Sequence, residues 1–459
     1  MLLRWRLWTV VLAFGLLTAA PALAQEETSP PDAPAVEEEA SPAEDPVDEP
    51  VDAEPEPIPE PIPEPEPEPE PIPEPGEEDE LDEEFDDYPA GTIAVSPGLA
   101  PVAPSVIVGT NDEDHTGPWR LILGGYIRTQ YSMIEEDPQV EFIGRNDGFM
   151  MADARSTVVG ELDNGLGFVF QFDASAPIIA TAAGSPVREL TLRMTDMYIF
   201  YAPLYFLQFS VGQFKAPFEA ENLLSKADLL FVERSVGSRG VRGFEGFPVP
   251  GLSIGRELGA RVQGSYFLGA EPGEFEGPGV SYAAAITNGN GPNRSMNNNS
   301  RHAYYGRAAL HWGEYVAVGG AYMHNDDTLG EPPNRIDRLI RGWTADLQAA
   351  AFGVSFLASM TNQTLSAPDL PQEPDAEATA YQAQIGYQLP FFGLQPVYRF
   401  AYYDPGVIED DDLIYHTVGL NYNAANYPIR LMFNYTITVE EDARELDNNR
   451  FDALLQLEW

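Results

Sequence analysis

The chain has 459 residues, with 25 Lys+Arg against 73 Asp+Glu and a formal charge of -48; that length suits one large barrel or two to three ordinary domains. The charge is uneven: residues 25–90 hold 28 acids and no base, and residues 118–459 hold 42 acids and 23 bases. This balance excludes nucleic acid as a partner of the whole chain, because a phosphate backbone needs basic neutralisation. Cysteine is absent, which removes disulfide scaffolds, thiol nucleophiles and Cys-held metals.

Residues 1–24 read as a secretory signal peptide. Arg4 and Arg6 make a positive start, Val10 to Ala20 a short apolar core, and Ala22-Leu23-Ala24 a small-x-small cleavage site before Gln25. An uncleaved anchor helix is the alternative. No run of 18 apolar residues follows Gln25, so no transmembrane helix is expected in the mature chain. An exported chain without cysteine suits a bacterial envelope.

Residues 25–117 read as a disordered acidic arm and linker lying in the periplasm. From Glu54 the chain runs EPEPIPEPIPEPEPEPEPIPEP. Proline at alternate positions forbids helix and sheet ladders, so the segment is expected as extended polyproline II. Residues 42–75 would span about 100 Å at roughly 3.1 Å per residue. The arm is either a spacer touching the cell wall or a partner, or a solvated tail without one.

From Trp119 the pattern changes to period two, and it keeps that period to the end of the chain. Trp119, Leu121, Leu123, Ile127, Thr129 and Tyr131 share one face, with Arg120, Arg128 and Gln130 on the other. Sixteen strands are expected, over 119–131, 149–161, 166–173, 190–201, 206–214, 257–268, 279–287, 303–312, 316–324, 342–349, 352–360, 379–389, 394–403, 414–422, 428–438 and 450–459. Their connections alternate short and long, as in outer-membrane barrels with tight periplasmic turns and longer external loops. The fold class expected for 118–459 is all-β, a sixteen-stranded antiparallel transmembrane β-barrel; closure leaves no strand edge in lipid. Aromatics near the strand ends fit interfacial girdles. A soluble all-β domain would also alternate. Asp196 falls on the nominal lipid face, which a register slip or an interfacial position would resolve. The last strand, Phe451, Ala453, Leu455, Leu457 and Trp459 on one face, looks like the C-terminal strand read by the outer-membrane barrel assembly machinery, with Trp459 where Phe is usual.

Three runs carry a family likeness. They are Val211-Gly212-Gln213-Phe214-Lys215-Ala216-Pro217-Phe218, then Phe231-Val232-Glu233-Arg234-Ser235, then Gly255-Arg256-Glu257-Leu258-Gly259-Ala260-Arg261-Val262. Their order resembles the phosphate-selective porin O and P family. The resemblance covers roughly 120–459, with its specific motifs between 206 and 264. It implies a sixteen-stranded trimeric porin passing small anions, phosphate or polyphosphate among them, with a third loop folded inward. The third long connection, 215–256, is the longest and suits that role. The acidic arm is not part of the family core.

A porin needs a lumen whose charge and width set what passes. The alternation points Arg120, Arg128, Arg155, Arg193, Arg261, Arg307, Arg399, Arg430 and Arg450 inward, with Asp153, Asp173, Glu257, Asp346 and Asp452. Arg stays charged and matches phosphate or carboxylate oxygens bidentately; alternatively, each Arg pairs with a wall acid and stiffens the barrel. In the third loop, Lys226, Arg234, Arg239 and Arg242 are the expected anion contacts, the last three lying within nine residues that contain no acid. Their other reading is anchorage of the loop to the wall. Lysine occurs only at 215 and 226, so no dense lysine ladder for phosphate is visible. Loops 325–341, 361–378, 404–413 and 439–449 hold 18 acids and four Arg, an acidic mouth that repels anions, bridges lipopolysaccharide through divalent ions, or serves solubility.

None of the five histidines, His115, His302, His311, His324 and His416, sits in a nucleophile motif, and no metal-ligand spacing occurs. No enzyme, no cofactor and no metal is expected. The function expected is an outer-membrane porin for passive diffusion of small solutes, with anion or phosphate preference. Its partners would be small solutes, inorganic phosphate among them, outer-membrane lipid and lipopolysaccharide, the assembly machinery, and two further copies in a homotrimer. The alternative is a structural tether, with the barrel as anchor and the arm on the cell wall.

Overall fold

The computed structural model describes residues 119–459 apart from 146, 163, 176–177, 181–185, 189–191, 270–276, 331–334, 368–374, 407–410, 425–426 and 441–445. The signal peptide and the acidic arm lie outside the described residues. The strands are β1 (Trp119–Ile134), β2 (Gly148–Leu162), β3 (Leu166–Asp173), β4 (Ile178–Ala180), β5 (Pro186–Arg188), β6 (Arg193–Leu204), β7 (Leu207–Lys215), β8 (Gly240–Val241), β9 (Val249–Pro250) and β10 (Arg256–Phe267). They continue as β11 (Pro278–Thr287), β12 (Ala303–Trp312), β13 (Val316–Leu329), β14 (Ile336–Ala351), β15 (Val354–Ser366), β16 (Ala376–Tyr387), β17 (Leu394–Asp404), β18 (Leu413–Asn423), β19 (Ile429–Glu440) and β20 (Arg450–Glu458).

Sixteen of these, all but the hairpins β4–β5 and β8–β9, close into one antiparallel barrel in sequence order. Each of the sixteen segments expected from period two is a barrel strand. Closure is made by β1 against β20, and Gly125 exchanges backbone hydrogen bonds of 3.0 and 3.1 Å with Trp459. The Trp459 indole lies where a side chain at residue 125 would stand, so a glycine there lets the last residue seal the seam.

Period two reads directly as inside and outside. In β12, Ala303, Tyr305, Arg307, Ala309 and His311 are buried, and the residues between them are exposed. Aromatics crowd the short-turn end, where Tyr205, Trp312, Tyr315, Phe391, Phe392, Tyr427 and Trp459 are exposed. They form one girdle.

Two differences from the expected pattern have separate local causes. Beyond residue 171 the β3–β6 register shifts, so Phe170 faces Met197 and Phe172 faces Met194. Thr195 and Asp196 together oppose one residue, a β-bulge that turns two successive side chains to the same face. Both are buried, and Asp196 is a lumen residue. Arg193, on the far side of the bulge, keeps inward parity opposite Asp173 and is exposed. At the long-loop end β13 and β14 pair as far as Leu329 and Ile336, so most of the expected loop 325–341 is strand. Cross-strand ion pairs such as Arg338–Asp327 hold this extension together.

The segment between β7 and β10 carries two helical turns, α1 (Ala220–Leu223) and α2 (Val236–Arg239), and hairpin β8–β9. Its carbonyls accept hydrogen bonds from side chains all round the barrel. Donors are Arg307 on β12 to Phe218, Arg430 on β19 and Gln456 on β20 to Ala227, Asn421 on β18 to Leu230, Arg128 on β1 to Val232, and Arg399 on β17 to Glu233. One segment reaches inward-facing residues of so many strands only from inside the barrel. It buries Phe218, Leu230, Phe231, Val232 and Val236 against wall residues such as Val397, Met432 and Leu454. Burying a side chain of this size is worth about 1.5–3 kcal/mol. Gly237 makes the closest approach: a Cβ there would lie 2.3 Å from the Ala380 Cβ.

Candidate functional site

The inward loop narrows the lumen, so its charges and those facing it decide what passes. Arg239, Arg242 and Arg450 gather on Glu245 at 2.6, 3.5 and 2.5 Å, Arg242 also meets Glu233 at 2.9 Å, and Arg450 meets Asp452 at 2.8 Å. Three cations face three acids. Burial alone would raise the Glu245 carboxyl, but Arg239, Arg450 and Arg242 override it and hold it at about 2. Glu233 likewise sits well below its ordinary value: burial works to raise it, and Arg242 and Arg239 outweigh that. This group balances its own charge and ties the loop to β20. Arg239 and Arg242, expected as anion contacts, are both held in it.

A second group is unbalanced. Asp153 on β2 receives Arg128 at 2.9 Å and Lys226 at 2.6 Å, with Arg155 at 3.9 Å, and Arg155 meets Asp173 at 2.7 Å. Three cations face two acids. Arg234 adds a fourth cation: it donates to the carbonyls of Glu221, Asn222 and Leu224 at 3.2, 3.4 and 3.1 Å, and no carboxylate lies within ion-pair distance of it among the described residues. Burial lowers the Arg234 guanidinium, Glu221 works to raise it, and Arg155 lowers it further. Lys226 keeps about a third of its side chain exposed, whereas Asp153 has 1%. Of this pair it is the lysine side chain that reaches the lumen.

Lys215 donates to the Leu223 and Leu224 carbonyls at 3.1 and 2.8 Å, sharing the second with Arg234. Arg256 meets Asp196 at 2.9 Å. Lys215 stands in the sequence as one of two lysines and within a family motif, and Asp196 as an acid on the nominal lipid face; neither is expected there as a contact of the inward loop, Asp196 because the bulge reverses its facing.

The remaining wall arginines divide by partner. Arg307 is paired with Asp346 at 2.8 Å. Arg399 stands 3.6 Å from Glu221 and 4.4 Å over the Phe231 ring. Arg261 lies 4.6 Å over Phe214 and 5.3 Å over Tyr198, and Arg430 holds Ala227 and Gln395. Among the described residues, neither Arg261 nor Arg430 has a carboxylate within ion-pair distance. Arg193 is exposed, as is Arg120 at the start of β1. Glu257 of the inward acids receives Thr287 Oγ1 at 3.3 Å.

Two other constellations lie outside the inward loop. Ser281 and His311, on adjacent strands β11 and β12, share a hydrogen bond of 2.8 Å; among the described residues His311 Nδ1, the atom through which a triad acid orients its base, has no hydrogen-bond partner. At the long-loop end, carboxylate oxygens of Asp404, Asp411 and Asp412 lie within 4.8 Å of one another. They are part of the acidic mouth expected over 404–413.

Comparison with known proteins agrees with this architecture. Residues 124–351 match the family model for phosphate-selective porin O and P. No curated protein matches the chain. Among solved structures, an anion-selective porin from Comamonas acidovorans is 12% identical with a TM-score of 0.50, covering 74% of this chain and 100% of that one. OmpF of Salmonella typhi in complex with daunomycin is 11% identical with a TM-score of 0.50, covering 74% of this chain and 98% of that one. Likeness at this identity is likeness of fold. Over residues 124–351 the chain is thus similar to the phosphate-selective porin O and P family, and it is an outer-membrane porin.

Proposed function

We propose that the channel prefers small anions, inorganic phosphate among them, and that the group on Arg155, Lys226 and Arg234 sets this preference. The supporting observation is the imbalance in ion pairing: among the described residues Arg128, Arg155 and Lys226 share Asp153 and Asp173, and Arg234 has no carboxylate within ion-pair distance. In a narrow, weakly screened lumen that surplus acts on every passing ion. Arg239 and Arg242 serve as anchors of the loop instead. The acidic long-loop end lowers anion entry at low salt without acting at the constriction. Three copies would assemble as a trimer, and residues 25–117 would extend into the periplasm after removal of 1–24. A tether would need only the barrel, and a lumen spanned by a bonded, charged loop favours the channel.

The test is the reversal potential of the purified protein in a planar bilayer under a KCl gradient, then with phosphate added. Anion selectivity with phosphate block supports the proposal. Cation selectivity refutes the preference and leaves the porin in place. Absence of conductance transfers weight to the tether.

A further inference from the structure

Two carboxylates clasp the inward loop across its own limbs. Glu221, in α1, accepts hydrogen bonds from Ser235 N at 3.1 Å and Ser235 Oγ at 2.8 Å, just before α2. Glu219, preceding α1, accepts one from Ser238 Oγ of α2 at 3.0 Å. The two acids differ in what balances them. Arg399 of β17 stands 3.6 Å from Glu221, whereas among the described residues no cation lies within ion-pair distance of Glu219. Glu219 is 3% exposed. The charged groups around it are Glu221 on its own limb, Arg234 on the other limb and Asp346 of β14. Arg307 of β12 is near, but its guanidinium is taken by Asp346 at 2.8 Å and the Phe218 carbonyl at 3.0 Å.

A buried carboxyl with acids for neighbours and no counter-ion keeps its proton. Burial first, then Glu221, pushes Glu219 up to about 8, against the Ser238 hydrogen bond and Arg234. At neutral pH the clasp is then one neutral carboxyl and one balanced carboxylate. Above that value a second negative charge stands beside Glu221 in a place water does not reach. The strain is relieved by parting α1 from α2, which lets water in.

We propose that the Glu219–Ser238 contact is a proton-dependent latch of the inward loop, which keeps the channel narrow at neutral pH and widens it in alkaline medium. The loop stays in the barrel throughout, because Arg128 and Asn434 hold Val232 from two sides at 2.7 Å each. The latch concerns width rather than sign of selectivity, so it stands apart from the anion preference.

The experiment is single-channel conductance of the full chain in KCl from pH 6 to pH 9.5, on the wild type, Glu219→Gln and Ser238→Ala. The wild type is expected to widen with a midpoint near pH 8. Glu219→Gln, which cannot ionise, is expected to stay narrow throughout. Ser238→Ala, which removes the clasp, is expected to be wide already at pH 6.5. A flat wild-type profile, or the same alkaline rise in Glu219→Gln, overturns the latch. If Glu219→Gln does not assemble, Ser238→Ala decides alone: conductance equal to wild type at pH 6.5 overturns the proposal, and larger conductance supports it. The sign of the reversal potential does not enter this readout.

Discussion

Replacing Asp153 by Asn tests how the unbalanced group works. Asp153 is almost fully covered and holds Arg128 at 2.9 Å and Lys226 at 2.6 Å. The change removes one of the two carboxylates that Arg128, Arg155 and Lys226 share, so the surplus of paired cations over acids rises from one to two. One unit charge about 4 Å from an ion is worth about 1 kcal/mol in a water-like medium and about 4 kcal/mol at an effective dielectric of 20. The water-filled path sets the lower value. About 1 kcal/mol is roughly a fivefold change, gained for the anion and lost for the cation. The permeability ratio of chloride over potassium should therefore rise by roughly 25-fold, read as the reversal potential under a KCl gradient. Asn keeps the side-chain shape, and circular dichroism checks that the barrel forms. An unchanged ratio would mean that the permeating ion does not pass this group. A shift toward potassium would refute the charge argument outright.

Three further outcomes are expected. Arg234→Gln removes a cation that has no carboxylate within ion-pair distance among the described residues, and should lower the same permeability ratio by roughly 25-fold on the lower Coulomb value; an unchanged ratio would refute its role. Gly237→Ala places a methyl where only 2.3 Å separates it from the Ala380 Cβ. It should cost about 1–3 kcal/mol and raise conductance by lifting the loop limb from β16, and neither effect would be seen if the loop has slack there. Asp196→Asn leaves Arg256 without the carboxylate now at 2.9 Å. It should destabilise the barrel by roughly 3 kcal/mol, measured as the urea midpoint, whereas a lipid-facing Asp196 would give stabilisation instead.

The barrel was legible because period two is written into every strand. Ala303 to Trp312 alternates without a break, and the structure alternates burial with it. Strand ends were less legible, since pairs such as Asp327 with Arg338 read as loop charges yet lie in register across a long hairpin. The length of the 215–256 connection suited the inward fold that the family resemblance implies. Nothing in composition could show that Phe231 and Val232 would meet β17, β19 and β20.

The site was legible only as a list of cations, because charge along the chain does not say who pairs with whom. Arg234, Arg239 and Arg242 look alike over nine acid-free residues, yet the fold separates them. Glu233 and Glu245 on the same loop, and Asp452 from the last strand, balance Arg239, Arg242 and Arg450. Arg234 turns instead to backbone carbonyls. A carbonyl satisfies the donors of a guanidinium without cancelling its charge, whereas a carboxylate does both. The charge that remains to act on a passing ion is thus set by which acceptor each cation finds. That choice is made by contacts between residues as distant in sequence as Lys226 and Asp153, or Arg450 and Glu245. Net charge of the chain and selectivity of the lumen are for this reason separate quantities, and a porin of charge -48 can carry a cationic constriction.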